Sequence, residues 1–141
     1  MGLVSDFAAE EGWDYFDYYN TYYDLWAVKD GGRLSVQVMI EALPLTLPDG
    51  KLLRDPAEYM DYLSISLPET YASIGLETEN PERSSRTLEG MDFECYSFSS
   101  YGAAMTQFMM STEKNGVFLT IYVTTIGGDQ TEYVLSLFSA C

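Results

Sequence analysis

Residues 91–126, MDFECYSFSSYGAAMTQFMMSTEKNGVFLTIYVTTI, govern how the rest of the chain is arranged. The segment predicts three consecutive strands, because aromatic and β-branched side chains recur through it and two short breaks divide it. The second break contains Asn115 and Gly116, a dipeptide that tolerates the two positive φ angles of a type I′ turn. We therefore predict a three-stranded antiparallel meander.

A two-residue turn at Asn115 and Gly116 fixes the pairing of the strands on either side of it. Lys114 then pairs with Val117, and side chains two residues apart share one face of the sheet. One face is almost fully apolar and is the predicted main core, whereas the other is mixed and is expected to be partly covered by a second layer. The predicted pairs on the core face are Phe108 with Val123, Met110 with Ile121 and Thr112 with Leu119.

The first break contains Tyr101 and Gly102. If these two residues form the loop, Ser100 pairs with Ala103 and the preceding strand lies beside the central one. The resulting register puts Phe93 beside Met110 and Cys95 beside Phe108 on the core face, and Glu94, Tyr96 and Phe98 on the mixed face.

The remaining elements follow from local patterns. Asp55 is a predicted helix cap followed by a proline at the first helical position. Pro68 is expected to interrupt that helix, and residues 69–74 are a candidate for its resumption before Gly75. The predicted elements outside the meander are a short amphipathic helix over 3–11, strands over 22–28 and 33–41 joined by a turn over 29–32, a loop over 42–54, the helix from Asp55, a short strand over 83–88, and a closing helix from 129–132 that carries Tyr133, Val134, Leu137 and Phe138 on one side.

The order of these elements predicts an α+β fold. It consists of a single antiparallel sheet, made of a hairpin plus a three- or four-strand meander, packed with a middle helix and a C-terminal helix. At 141 residues the chain is expected to be a single domain, 1–141, in which 1–12 are an N-terminal helix or linker and 13–141 form the core.

The chain is strongly acidic. Seven Lys and Arg against 22 Asp and Glu give a net charge of −15, which repels phosphate backbones and anionic lipid. We therefore expect no nucleic-acid partner. The charge either serves solubility or attracts cations or a basic partner. The sequence contains no apolar run long enough to span a bilayer and no signal-peptide core, so the chain as printed is expected to be soluble.

The chemistry available to the chain is narrow. It contains no histidine, which excludes Ser-His-Asp and Cys-His mechanisms and the usual zinc sites. We predict no catalytic residues, no metal site and no cofactor, and a carboxylate-based hydrolase is a remote alternative. Cys95 and Cys141 either form a disulfide or are separate thiols. In the second case, Cys95 is a small hydrophobic residue of the core.

Residues 13–26 are dense in aromatic residues, with Asp14, Asp17 and Asp24 between them. This composition makes the segment the candidate binding site. Aromatic faces stack on ligands and the interleaved carboxylates accept hydrogen bonds, although aromatic rings also pack in cores. The candidate ligand-binding residues are Trp13, Tyr15, Tyr18, Tyr19, Tyr22 and Tyr23, and the ligand they suit is a carbohydrate or another small molecule.

The chain resembles the PsbP-like α/β fold over residues 12–141. The features that carry the resemblance are Gly12-Trp13 near the start, a two-strand hairpin, a helix that opens Asp55-Pro56-Ala57-Glu58, a long meander with Lys114-Asn115-Gly116, and a closing helix after Gly127-Gly128-Asp129. That fold occurs in a photosystem extrinsic subunit and in bacterial exported lipoproteins, most of which are accessory or binding proteins.

The resemblance implies a non-catalytic accessory or protein-interaction domain of an exported bacterial protein. It also implies an extracellular or cell-surface location, with a lipid anchor upstream of Met1 in a native precursor, whereas the printed chain shows no lipobox cysteine and leaves a cytoplasmic location open. The alternative function is binding of a carbohydrate or small ligand through the aromatic segment between Trp13 and Trp26.

Overall fold

A computed structural model describes residues 3–5, 12–15, 25–42, 45–102 and 104–140. The strands are β1 (Leu3–Ser5), β2 (Trp13–Tyr15), β3 (Leu25–Lys29), β4 (Leu34–Ala42), β5 (Leu45–Thr46), β6 (Leu52–Leu53), β7 (Glu79–Leu88), β8 (Met91–Ser100), β9 (Met105–Lys114), β10 (Val117–Ile126) and β11 (Phe138–Ala140), and the helices are α1 (Pro56–Ser73) and α2 (Thr131–Leu135).

The described strands form one large sheet and two small ones. The large sheet has seven antiparallel strands in the order β2-β3-β4-β10-β9-β8-β7, while β1 pairs with β11 and β5 pairs with β6. The meander and the N-terminal hairpin therefore join in a single sheet, because β4 pairs with β10. The predicted α+β class, with an antiparallel sheet, a middle helix and a closing helix, is confirmed.

The turn between β9 and β10 has the predicted geometry. Asn115 and Gly116 have φ angles of 53° and 79°, and Lys114 pairs with Val117. The three predicted core-face pairs are all present: Phe108 with Val123, Met110 with Ile121, and Thr112 with Leu119.

The turn between β8 and β9 is longer than predicted. Ser100 pairs with Met105 rather than with Ala103, so four residues form the connection, and the Ala104 N–H donates to the Tyr101 carbonyl at 3.2 Å. The predicted register is therefore wrong by two residues, and Cys95 lies beside Met110 instead of Phe108. Because a two-residue slip keeps every side chain on its own face, the predicted faces are still correct.

The first face of the sheet packs against α2 and β11. Buried side chains from β3, β4, β8, β9 and β10 meet those of the closing segment there. Its fully buried members include Val36, Phe93, Cys95, Met110, Ile121 and Val123 from the sheet and Val134 and Leu135 from α2.

The second face is covered by α1, so the two helices lie on opposite sides of the sheet. Asp55 Oδ1 accepts a hydrogen bond from the Ala57 N–H at 2.9 Å and caps this helix as predicted. The buried cluster contains Tyr59, Met60 and Leu63 from α1, Tyr96, Phe98, Met109 and Phe118 from the sheet, and Leu47 and Leu53.

Pro68 does not interrupt α1, which contradicts the sequence-based expectation. The helix continues past it to Ser73 and ends in a Schellman arrangement, in which the Leu76 N–H donates to the Tyr71 carbonyl at 2.9 Å. Leu67 and Tyr71, on either side of the proline, pack against the second-face cluster. Burial of these side chains offsets the lost backbone hydrogen bond, so tertiary packing overrides the local preference.

The other helix predictions also need correction. The closing helix is shorter than predicted: α2 ends at Leu135, Leu137 follows in a turn, and Phe138 begins β11. The side chains of Leu137 and Phe138 are nevertheless buried on the predicted side. Leu3–Ser5, expected to begin a helix, form β1 because they pair with β11, while residues 6–11 lie outside the described residues. The predicted loop over 42–54 contains the β5–β6 hairpin.

Candidate functional site

The predicted aromatic site falls largely outside the described residues. Trp13 and Tyr15 belong to β2, at one edge of the large sheet, where they pair with Lys29 and Ala27. Tyr18, Tyr19, Tyr22 and Tyr23 belong to the part of the chain that is not described. Binding of a ligand by these six residues therefore stays a prediction.

A groove lies beside the start of α1. It has a volume of about 560 Å³, and its walls come from the N-terminus of α1 and from β7, β8 and β9. Carboxylates of Asp55, Asp92, Glu94 and Glu113 line it together with Arg86. A groove of this polarity differs from the apolar pockets that enclose most small ligands.

Hydroxyl groups fix one of these carboxylates. The Thr87 hydroxyl donates to Asp92 Oδ1 at 2.8 Å, and the Thr112 hydroxyl donates to the Asp92 backbone carbonyl at 2.7 Å. The Ser85 hydroxyl lies 3.4 Å from Glu94 Oε2. Among the described residues, no group of three Asp, Glu or Cys side chains has the arrangement of a metal site.

Arg83 joins α1 to the sheet at one side of this groove. Its Nε donates to Asp61 Oδ1 at 2.9 Å, and its Nη1 donates to the Cys95 carbonyl at 2.7 Å. Glu94 Oε2 is 3.6 Å from the same Nη1. The charge of Arg83 is therefore shared between two carboxylates, and the groove keeps its acidic character.

The thiol of Cys95 is not positioned for nucleophilic chemistry. It is a free cysteine in the first-face core with no exposed surface. Burial raises the pKa of this thiol to about 11, and the nearby Arg86 charge offsets this only in part. At neutral pH the group is protonated, and a protonated thiol is a poor nucleophile. Cys141 lies outside the described residues.

A different surface, which the sequence does not reveal, lies at the end of the large sheet where β8 ends and β9 begins. Large apolar side chains are exposed there: Tyr101 at 71 %, Ile74 at 73 % and Ile126 at 45 %. We call the exposed parts of residues 74–79, 101–104 (except 103), 126–129 and 30–33 the sheet-end surface. The Tyr101-Gly102 turn was visible in the sequence, but its exposure depends on which elements pack nearby.

Hydrogen bonds, two from backbone to backbone and two that involve side chains, hold these segments side by side. The Ser100 hydroxyl donates to the Glu77 carbonyl at 3.0 Å, and the Gly102 N–H donates to Glu79 Oε1 at 2.9 Å. On the other side, the Gly127 N–H donates to the Ala104 carbonyl at 2.7 Å. The Ile126 N–H donates to the Arg33 carbonyl at 2.8 Å, which attaches the turn before β4 to the same surface.

No protein-family model matches the chain, and no curated protein matches it by sequence. Within the described residues, no helix combines the length and apolarity needed to cross a bilayer.

Among solved structures, the chain is similar to cyanobacterial PsbP (CyanoP) from Synechocystis sp. PCC 6803, known from its solution structure. The match has a TM-score of 0.61 at 14 % sequence identity, and it covers 99 % of this chain and 92 % of that one. At this identity the likeness concerns the fold, and it extends from one end of the chain to the other. The predicted architecture is thus confirmed, and the chain has a PsbP-like α+β fold.

Proposed function

We propose that this chain is a non-catalytic accessory domain that binds a protein partner and belongs to an exported bacterial protein. The observation that carries the proposal is the exposure of Tyr101, Ile74 and Ile126, which belong to segments that hydrogen bonds hold at one end of the large sheet. Exposed large apolar groups that share one surface are typical of protein-binding sites.

Two further observations support a binding role over catalysis. The buried Cys95 thiol is protonated, and the sequence has no histidine to act as a general base. The groove beside α1 is open and polar, unlike the enclosed and mostly apolar pockets that bind most small substrates. The PsbP-like fold is compatible with this role, since the resemblance implies accessory or binding proteins.

Affinity capture with chemical cross-linking tests the proposal. The tagged chain, incubated with the secreted and membrane fractions of its source organism, should cross-link to one protein in a fixed ratio. The purified pair should then form the same complex in isothermal titration calorimetry. Failure of every captured protein to bind in purified form would contradict the proposal. Fractionation of cells that express the native gene tests export, and a product found wholly in the cytoplasm would contradict that part.

The second candidate is a carbohydrate-binding domain. It is favoured by the position of Trp13 and Tyr15 on β2, an edge strand of the large sheet. Trp13 and Trp26 are the two tryptophans of the chain, so intrinsic fluorescence reports directly on this segment. If the aromatic segment binds sugars, a panel of soluble oligosaccharides should shift the emission in a saturable manner. If the protein-binding function is correct, the emission should stay unchanged across the panel.

A further inference from the structure

The backbone of Tyr101 has an unusual conformation for an aromatic residue. Its φ angle is 56°, in the left-handed region, where a residue with a bulky side chain is about 1–2 kcal/mol less stable than glycine. The other described non-glycine residues with positive φ are Asp30, Asn80, Glu89 and Asn115. Aspartate and asparagine tolerate this region well, so Tyr101 is the least expected of the five.

The ring of Tyr101 does not recover this free energy inside the fold. The residue is 71 % exposed, and neither of the two core clusters includes it. An asparagine at this position would adopt the same turn with less strain. A large aromatic group in a strained, exposed turn therefore indicates a contact with something outside the chain.

Apolar side chains lie in the segments on both sides of this turn. Ile74 follows the last residue of α1 and is 73 % exposed, and the chain after it is bonded to Ser100 through the Glu77 carbonyl. Ile126 ends β10 and is 45 % exposed, and the residue after it is bonded to Ala104. The two isoleucines thus belong to segments that flank the turn carrying Tyr101.

The charge around these apolar groups is negative. Glu77, Glu79 and Asp129 belong to the same segments, and Asp30 belongs to the turn before β4. Arg33 is the cation of the sheet-end surface. Four carboxylates against one guanidinium agree in sign with the net charge of −15 for the whole chain.

We propose that the sheet-end surface binds a basic amphipathic helix of the partner protein, with the ring of Tyr101 as its central contact. The apolar side of that helix covers Tyr101, Ile74 and Ile126, while its Lys and Arg side chains reach the surrounding carboxylates. This inference rests on the protein-binding function proposed above and adds the place and chemistry of the contact.

The negative charge of the sheet-end surface favours a basic helix over a second copy of the chain, anionic lipid or nucleic acid. A second copy of the chain would bring carboxylates against carboxylates, and like charges oppose each other at an interface. Anionic lipid and nucleic acid are repelled for the same reason. A basic segment with an apolar side satisfies both the charge and the exposed apolar surface.

A designed peptide probes the surface without knowledge of the partner. The probe is a Lys/Leu amphipathic helix of about 18 residues, roughly five helical turns, and its control has Glu in place of every Lys. Titrated into the ¹⁵N-labelled chain, the Lys/Leu peptide should shift the amide resonances of the sheet-end surface most strongly. The Glu/Leu peptide should shift none, and salt at about 0.5 M should weaken the binding of the first.

Three variants identify the contact residues. Tyr101→Asn removes the ring but retains a residue type that tolerates positive φ, so its melting temperature should equal or exceed that of the parent. Tyr101→Asn and Ile74→Ser should each weaken peptide binding roughly tenfold, the loss typical of an interface anchor. Ile65→Ser is the matched control, because Ile65 is also an exposed isoleucine, at 65 %, but lies within α1. It should change the affinity by less than about twofold.

The inference is overturned if Tyr101→Asn binds the peptide as tightly as the parent, or if the strongest shifts fall in the groove beside α1 or on the outer side of that helix. Equal binding of the Glu/Leu peptide would also overturn it. The proposed function is tested separately. It is contradicted if no captured protein binds the chain in purified form. A partner that binds Tyr101→Asn and the parent equally would refute the sheet-end site and leave the protein-binding function intact.

Discussion

Arg86 and Glu132 form a bidentate ion pair that joins the edge strand β7 to helix α2. The Nη1–Oε1 and Nη2–Oε2 distances are 2.7 Å and 2.9 Å. The Arg86 guanidinium also lies 5.8 Å from the centre of the Phe108 ring, so it covers the side of the first-face core. Residues 46 positions apart are thereby connected at the margin of the closing segment.

The ion pair predicts a pH-dependent contribution to stability. The hydrogen bonds from Arg86 lower the pKa of the Glu132 carboxyl below its usual value. A carboxyl with a depressed pKa in the folded state contributes stability above its unfolded pKa, about 4.3, and loses it as the pH falls through the folded value. Because Glu132 is 77 % exposed, we expect Glu132→Gln to lower the free energy of unfolding by about 0.5–1 kcal/mol at neutral pH.

Urea unfolding of the parent and the variant at several pH values measures this difference, which should shrink towards zero as the pH falls through the lowered folded-state pKa of Glu132. Glu69→Gln, at an exposed site in α1, serves as the control and should leave the free energy of unfolding at neutral pH within about 0.5 kcal/mol of the parent value. A Glu132→Gln effect that persisted unchanged in acid would contradict the role of the ionised carboxylate.

The second prediction concerns the thiol of Cys95. At about pH 8, a thiol whose pKa is about 11 has on the order of a hundredfold less thiolate than an ordinary cysteine, and its burial also blocks reagents. In a Cys141→Ser background, labelling of Cys95 by a chromogenic disulfide should therefore be slow in the native chain and fast in denaturant. Because the raised pKa favours the protonated native state, stability should also fall as the pH rises from 9 towards about 11. Rapid stoichiometric labelling of the native chain would contradict this.

The third prediction compares two buried tyrosines. The Tyr96 hydroxyl has no hydrogen-bond partner among the described residues, and burial raises the pKa of this group. The Tyr59 hydroxyl lies 2.7 Å from the Tyr122 hydroxyl. Removal of an unsatisfied hydroxyl should be neutral or stabilising, by up to about 1 kcal/mol, whereas loss of a bonded one destabilises by about 0.5–1.5 kcal/mol.

Chemical denaturation of Tyr96→Phe and Tyr59→Phe measures both effects, and each substitution removes the same single oxygen. Tyr96→Phe should have a denaturation midpoint at or above that of the parent, and Tyr59→Phe should have a lower one. A reversed order would show that the Tyr96 hydroxyl is well satisfied and the Tyr59 hydroxyl is not.

The fourth prediction concerns the turn between β9 and β10. Gly116 has a φ angle of 79°, where an alanine is strained, although nothing lies within 4 Å of the position of an added Cβ. Gly116→Ala should therefore destabilise the fold by about 1 kcal/mol through backbone strain alone. Asn115→Gly is the control and should change stability by less than about 0.5 kcal/mol, since glycine adopts the same φ without strain. Thermal unfolding followed by circular dichroism checks both, and an unchanged melting temperature for Gly116→Ala would contradict the type I′ geometry.

The sequence predicted the central turn because its geometry is encoded locally. Asn115 and Gly116 are residues that accept positive φ, and strand alternation carries the register outward from them. The turn at Tyr101 was mispredicted because its geometry is not encoded locally. Tyrosine has no special preference for positive φ, so no local pattern indicates that four residues, and not two, connect β8 and β9.

The candidate sites differ in how far the sequence could reach them. The aromatic residues Trp13 and Tyr15 stand out by composition, but composition does not reveal which rings face solvent. The sheet-end surface combines Ile74, Tyr101 and Ile126, which are separated by about 25 residues each and have no common motif. Their shared location depends on the order of strands in the sheet and on the place where α1 ends.

The sequence by itself determined the class of the fold, the faces of the meander and the absence of imidazole chemistry, because side-chain alternation, turn residues and composition are local properties. The tertiary structure decided the unbroken course of α1 through Pro68, the short α2, and the placement of the two helices on opposite faces of the sheet. These features depend on apolar area buried between elements distant in the chain, and the summed free energy of this burial outweighs the local conformational preferences.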